Sequence, residues 1–163
     1  MISRSQYEKV LRYVEIGLSD GATVVTGGGR PDGAPAKGFY VSPTVMSDVR
    51  PGSRLACEEI FGPVVSVITW RDEDEMVAIA NEIDYGLVAG IWTADVSRAQ
   101  RLARRLDAGY VWINTGGALY QGMPFGGFKN SGLGRENDLS ELYSYMEVKS
   151  VNVALADSGR AGQ

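Results

Sequence analysis

Three short apolar, largely β-branched runs, spaced by two helical patterns, constrain this chain more than any other feature. Pro63 to Trp70 (PVVSVITW), Leu87 to Trp92 (LVAGIW) and Tyr110 to Asn114 (YVWIN) are nearly continuous apolar stretches of strand length, the pattern of strands buried on both faces. After the first run, Asp72, Glu73, Asp74 and Glu75 supply negative charge to a helix start, and Met76, Val77, Ile79, Ala80 and Ile83 recur on one face,. Tyr85-Gly86 breaks that helix. After the second run, Val96, Ala99, Leu102, Ala103 and Leu106 form an apolar face with Arg98, Arg101, Arg104 and Arg105 outside it, and Gly109 is placed as the closing glycine,. Strand, helix, strand, helix, strand predicts an α/β fold: right-handed crossovers and a mostly parallel sheet with covering helices.

The segment before these runs is mixed. Ser5, with Glu8 three residues on, reads as a capping box opening a helix whose apolar face holds Tyr7, Val10, Leu11, Val14 and Leu18,. Asp20-Gly21 ends it; Ala22 to Thr26 is a short strand closed by Gly27-Gly28-Gly29, and Arg30 to Gly38 is a polar loop,. Phe39 to Met46 reads as extended around Pro43.

Composition narrows the chemistry. There is no histidine, which removes serine–histidine triads, histidine bases and imidazole metal ligands,. A single cysteine, Cys57, excludes an internal disulfide and a cysteine-rich zinc site,. The formal net charge of -4 argues against a nucleic-acid partner,. No apolar run reaches the roughly 20 residues of a membrane helix, and MISRSQYEKV lacks a signal-peptide core, so the expected location is cytoplasmic, with no membrane partner,.

Glycine is in excess, and between Thr115 and Gly134 seven of twenty residues are glycine. A long loop after a buried strand is uncommon unless it lines a ligand site, and ligands in open parallel sheets lie beyond the carboxyl ends of strands. Leu119, Tyr120, Met123, Pro124, Phe125 and Phe128 are odd choices for a solvated loop, so a binding loop is favoured over a flexible one,.

Two segments carry a family resemblance. Cys57-Glu58-Glu59-Ile60-Phe61-Gly62-Pro63-Val64 resembles the EEIFGPV segment of NAD(P)-dependent aldehyde dehydrogenases, and Pro124 to Glu136 (PFGGFKNSGLGRE) resembles their PFGG-x-K-x-SG-x-GRE segment. Tyr85-Gly86-Leu87, Ala108-Gly109, Val111 to Asn114, the GGG turn, Gly38-Phe39-Tyr40 and Pro43-Thr44-Val45 fall in the family's order, so the resemblance covers about residues 5 to 153.

On residue type alone, Glu58 and Glu59 also read as solvated charges and Phe61 as core. The resemblance implies instead that Glu59 holds the nicotinamide ribose hydroxyls of NAD or NADP and that Phe61 contacts the nicotinamide ring; Glu58 is left as structural. It implies that Leu119 and Phe125 line the aldehyde tunnel, where apolar walls exclude water, with core packing as the competing reading,. Arg135, Glu136 and Glu147 read as structural, and Tyr145 to Ala154 resembles the family's subunit-pairing strand, which implies a homo-oligomeric parent,. The expected organisation is a C-terminal catalytic-domain portion over 1–154, with 145–154 as oligomerisation strand and 155–163 as a disordered tail.

The chain also departs from the family. Aldehyde dehydrogenases attack with a cysteine thiolate, pass hydride from the thiohemiacetal to NAD(P) and hydrolyse the thioester with a glutamate base. Both groups and the dinucleotide-binding domain belong upstream of these motifs, and no G-x-G-x-x-G follows a strand here,. Cys57 precedes EEIFGPV rather than lying in the nucleophile's glycine-rich context, and reads as a small apolar residue,. The expectation is an aldehyde dehydrogenase fragment, inactive alone, either a separate short chain or a truncated one, whose remaining part was lost or is supplied by another polypeptide. A non-catalytic module joining aldehyde dehydrogenase oligomers and an inactive remnant are the alternatives.

Overall fold

The computed structural model describes residues 1–154; the expected tail over 155–163 lies outside the described residues. Twelve elements follow in order: α1 (Arg4–Ser19), β1 (Thr23–Thr26), β2 (Thr44–Ser47), α2 (Arg54–Cys57), β3 (Val64–Ser66), α3 (Glu73–Glu82), β4 (Tyr85–Gly86), β5 (Val88–Ile91), α4 (Val96–Arg105), β6 (Tyr110–Ile113), β7 (Phe128–Lys129) and α5 (Leu139–Ser144). The fold is α/β, and its central ladders, β2–β3 and β5–β6, are parallel. β1–β2 and β4–β7 are antiparallel. Among the described residues these ladders form three separate sheets, with β3 and β5 unpaired to each other although α3 joins them.

Two cores follow from that division. Val10, Tyr13, Val14, Met46, Leu55 and Ile60 close the first, between α1 and the β1–β2–β3 sheet. Val77, Ile91, Ala99 and Leu102 close the second, under β5–β6.

Several local expectations are corrected. Helix α1 is capped by Ser3, not Ser5: Ser3 has extended dihedrals and its hydroxyl accepts from the Gln6 amide at 3.2 Å,. The Met1 amine donates to the Phe39 carbonyl, and Tyr7 packs on the Phe39 ring, which ties the helix start to the following loop. Leu18 and Val96, placed on apolar faces, are exposed, because each lies at a helix end beyond its core. The run 63–70 is a strand only over Val64–Ser66, and Val65 and Val67 are exposed, since β2 is its sole ladder partner among the described residues.

Helix α4 ends at Leu106, whose amide donates to the Leu102 carbonyl, so Gly109 is not its closing glycine. Gly109 answers a different need: a Cβ there would fall on the Gly126 carbonyl and within 3.3 Å of the Gly127 Cα. The glycine-rich loop is thereby laid directly against the start of β6. It is also less irregular than its composition implies, since β7 pairs with β4 and Phe125 bridges Glu136. The segment 146–154 follows α5 as irregular backbone, pairing with no strand among the described residues.

Candidate functional site

The EEIF segment leaves the single turn of α2 at Glu58, whose dihedrals are extended, and then kinks at Phe61, which takes a left-handed φ of 55°. A bulky residue rarely adopts that conformation unless its surroundings impose it. One face of α1 does so. Gln6 Nε2 donates to the carbonyls of Ile60 at 2.9 Å and Phe61 at 3.0 Å, and Lys9 Nζ donates to the Glu59 carbonyl at 2.8 Å. Ile60 is anchored in the first core, so its neighbours turn outward: the Glu59 side chain is exposed and Phe61 is 76% exposed.

Glu58 is tied down instead. Its carboxylate takes a two-pronged contact from Arg54, Nε to Oε1 and Nη2 to Oε2, both at 2.9 Å, and accepts the Tyr13 hydroxyl as well,. The Arg54 bonds, then Tyr13, hold the Glu58 carboxyl down at about 2. The Tyr13 phenol is pushed up by donating to Glu58 and by burial. The guanidinium also lies 5.6 Å over the Tyr13 ring,. Glu58 is therefore structural, as expected, and its neighbour Glu59 carries a carboxylate with no ion pair or hydrogen bond among the described residues. Cys57 is half-buried at the end of α2.

Leu119 and Phe125 come together in the glycine-rich loop. They line a small cavity of about 280 Å³ with Glu136, Asn137 and Glu141. Phe125 is held between backbone and ring contacts: its amide and carbonyl exchange bonds with Glu136 at 2.9 and 2.8 Å, and its ring packs 5.7 Å from Tyr110. Tyr110 in turn packs 5.1 Å from Trp112, whose indole donates to the Ala118 carbonyl at 2.7 Å. Asn137, at φ 70°, donates to the carbonyls of Tyr120 and Met123 and closes the loop. An apolar wall beside carboxylates suits a molecule with an uncharged reacting end.

Glu59 and Phe61 do not share a cavity with Leu119 and Phe125. Glu59 lies instead on a larger groove of about 940 Å³, between α2 and the strand β5. Gln6 and Lys9, which hold the EEIF kink, were not singled out from the sequence. Their spacing with Tyr13 on one helical face was the available signal, but such residues ordinarily read as a solvated face. Among the described residues no group of histidine, cysteine and carboxylate side chains could hold a metal, and no helix is long and apolar enough to cross a membrane.

The order and geometry of these segments agree with comparison to known proteins. Residues 1–151 match the family model "Aldehyde dehydrogenase family". A betaine aldehyde dehydrogenase of Rhizobium etli is 50% identical over 155 residues, 95% of this chain and 32% of the relative. The aldehyde dehydrogenase tropH of Talaromyces stipitatus is 43% identical over 99% of this chain and 32% of its own length. Among solved structures, the NAD+ complex of a Bacillus cereus aldehyde dehydrogenase aligns with a TM-score of 0.87 at 44% identity, covering 96% of this chain and 31% of that one. A Staphylococcus aureus betaine aldehyde dehydrogenase in complex with NAD+ aligns at 0.88 and 35% identity, covering 99% and 33%. The chain thus spans about a third of the length of the curated relatives it matches. With the motifs in order and the match running through nearly all of its described residues, the chain belongs to the aldehyde dehydrogenase family.

Proposed function

We propose that this chain is the part of an NAD(P)-dependent aldehyde dehydrogenase that supplies one wall of the nicotinamide site and one wall of the substrate tunnel, and that it is inactive alone. The observation that carries the reading is the pairing of an unengaged Glu59 carboxylate with an exposed Phe61 ring, on a kink that α1 holds open through Gln6 and Lys9.

These residues fit a nicotinamide ribose. An exposed carboxylate accepts two hydrogen bonds from a vicinal diol, and an exposed ring packs on a flat heterocycle. When bound, NAD or NADP supplies the hydride acceptor for oxidation of an aldehyde to a carboxylic acid. Glu59 would fix the ribose and so the distance of the ring from the substrate carbon, and Phe61 would cover one edge of that ring. Leu119 and Phe125 would exclude water from the aldehyde. The nucleophile and the base are assigned to the other two-thirds of the parent. The reading carries with it a cytoplasmic location and a homo-oligomeric parent paired through 145–154, where Tyr145, Val148, Val151 and Val153 are exposed apolar side chains on unpaired backbone.

The test is aldehyde-dependent reduction of NAD and NADP. The purified chain and its Cys57→Ala variant are expected to show none across an aldehyde panel. Turnover by the chain that disappears in the variant would overturn the placement of the nucleophile. The chain co-expressed with the two-thirds of the Rhizobium etli relative that it does not match is expected to turn over. Glu59→Gln should then raise KM for NAD about tenfold, the equivalent of one charged hydrogen bond lost.

A further inference from the structure

Glu58 and Glu59 are the same residue type, so side-chain chemistry alone does not decide which of them turns outward; their surroundings do. Residues 6, 9, 10 and 13 share one face of α1,, and that face meets residues 58 to 62 in reverse order. Tyr13 donates to the Glu58 carboxylate, Lys9 to the Glu59 carbonyl, and Gln6 to the carbonyls of Ile60 and Phe61. Gly62 fixes the far end of the segment, since a Cβ there would fall 2.4 Å from a methyl of the fully buried Val10.

The polar contacts differ in kind. Those of Gln6 and Lys9 reach backbone carbonyls, which every residue carries, and so cannot tell one glutamate from the other. Only the contact at Glu58 holds a side chain of the segment. Its carboxylate meets two nitrogens of the Arg54 guanidinium at 2.9 Å and the hydroxyl of the buried Tyr13, whose ring also lies 5.8 Å from the Lys9 ammonium and 5.6 Å from the Arg54 guanidinium,. The backbone of Glu58 is extended, with φ -95° and ψ 145°, and successive side chains of an extended chain point opposite ways,. A Glu58 held inward therefore sends Glu59 outward, and a slip of one residue at this end would exchange the two.

We propose that Tyr13, Arg54 and Glu58 are positioning residues: by holding Glu58 inward they set the register at the near end of the segment, so that Glu59 and Phe61 are the pair presented to the nicotinamide end of the cofactor. The inference rests on the functional reading above and adds to it the residues that choose between the two glutamates. A lone surface ion pair contributes little, but a two-pronged arginine contact joined to a third donor is the geometry in which such a pair counts,. Losing it lowers the population of the presenting conformation, and a ligand that requires that conformation binds more weakly by the same factor. Phe61, at its left-handed φ of 55°, is the strained residue that reports whether the lock is intact,.

The experiment uses the whole chain and two nuclear magnetic resonance readouts. One is the strong cross-relaxation between the amide proton and Hα of Phe61 that a left-handed residue gives. The other is the shift of Glu59 and Phe61 on titration with nicotinamide mononucleotide, which carries the ring and its ribose without the adenosine half. Tyr13→Phe and Arg54→Ala should each weaken nicotinamide mononucleotide binding about threefold, and the double variant about tenfold, with the Phe61 signature reduced in step. Arg54→Lys, which keeps a positive charge at Glu58, should recover most of the Arg54→Ala loss. Arg54 is largely exposed, so its variants keep the first core, and an unmoved Met46 amide checks this. A clamp that serves stability alone would lower the urea midpoint and leave both readouts where they are, and that result overturns the proposal. So does weaker binding with the Phe61 signature intact, or no recovery in Arg54→Lys. A parent chain that does not bind nicotinamide mononucleotide, with a Phe61 signature that still falls in the variants, would instead sink the functional reading and leave the register lock standing.

Discussion

Gly109→Ala tests how the glycine-rich loop is fixed to the second core. A methyl at this position would fall on the Gly126 carbonyl oxygen, within 2.8 Å of its carbon and 3.3 Å of the Gly127 Cα. All three neighbours are backbone atoms, so no side chain can rotate away and the two chains must separate. Overpacking of this kind costs about 1–3 kcal/mol, opposed by about 0.4–1 kcal/mol from the stiffer unfolded chain. The net expectation is a loss of roughly 1.3 kcal/mol, or a Tm lowered by roughly 3–5 °C for a chain of this size. The assay is urea denaturation followed by tryptophan fluorescence, with a fall in midpoint at constant slope. The matched control is Gly29→Ala, where nothing lies within 4 Å and φ is not left-handed, so the entropy term acts alone and the midpoint should hold or rise. A Gly109→Ala midpoint equal to the parent's, or an equal loss in Gly29→Ala, would refute the close-approach reasoning.

Met46→Ala, removing a fully buried side chain of the first core, should cost about 2–5 kcal/mol in the same urea assay,. Asp95→Ala removes the carboxylate that caps α4 through the Arg98 amide at 2.9 Å, and should cost about 0.5–2 kcal/mol,. Phe61→Ala should leave the midpoint within about 0.5 kcal/mol, because the ring is mostly in solvent,. Glu58 has its folded pKa depressed from 4.5 to about 2, so its contribution is present above about 4.5 and is lost as pH falls through about 2,. A thermal-melt series should show part of the acid loss removed in Glu58→Gln; identical acid profiles would count against the Arg54–Tyr13 clamp.

The elements most legible in the sequence were those with a strong period and a matching terminus. Helix α3 begins where the acids begin, with Asp72 accepting from the Glu75 amide, and Val77 faces the core as its spacing implied. The β5–α4–β6 unit was legible for the same reason. The run at 63–70 was not, because its β-branched residues state a preference for being covered and cannot say whether the covering residues are on the same chain. Glycine was ambiguous in the same way. Gly109 after an arginine-rich helix has the spacing of a closing residue, and only the fold shows that Gly126 comes from seventeen residues on to occupy the space. Of the site, the sequence located Leu119 and Phe125 on one loop but was blind to α1, since Gln6 and Lys9 act through the carbonyls of residues fifty and more positions away.

The conformation of Phe61 bears on function independently of the family match. A left-handed φ costs a residue other than glycine about 1–2 kcal/mol, and a largely exposed hydrophobic ring there gains little burial to offset it,. Glycine or asparagine would satisfy the same kink at lower cost, and the kink itself is enforced by two hydrogen bonds from Gln6. Strain held in place by hydrogen bonds from one face of α1, with the strained side chain turned to solvent, makes sense where the ring is meant to meet something outside this chain. The same holds for Glu59 beside it, whose neighbour Glu58 is bound by Arg54 and Tyr13 while its own carboxylate is left unengaged. The fold thus spends its available contacts on the backbone and on Glu58, and the two side chains it leaves open are the pair assigned to the cofactor.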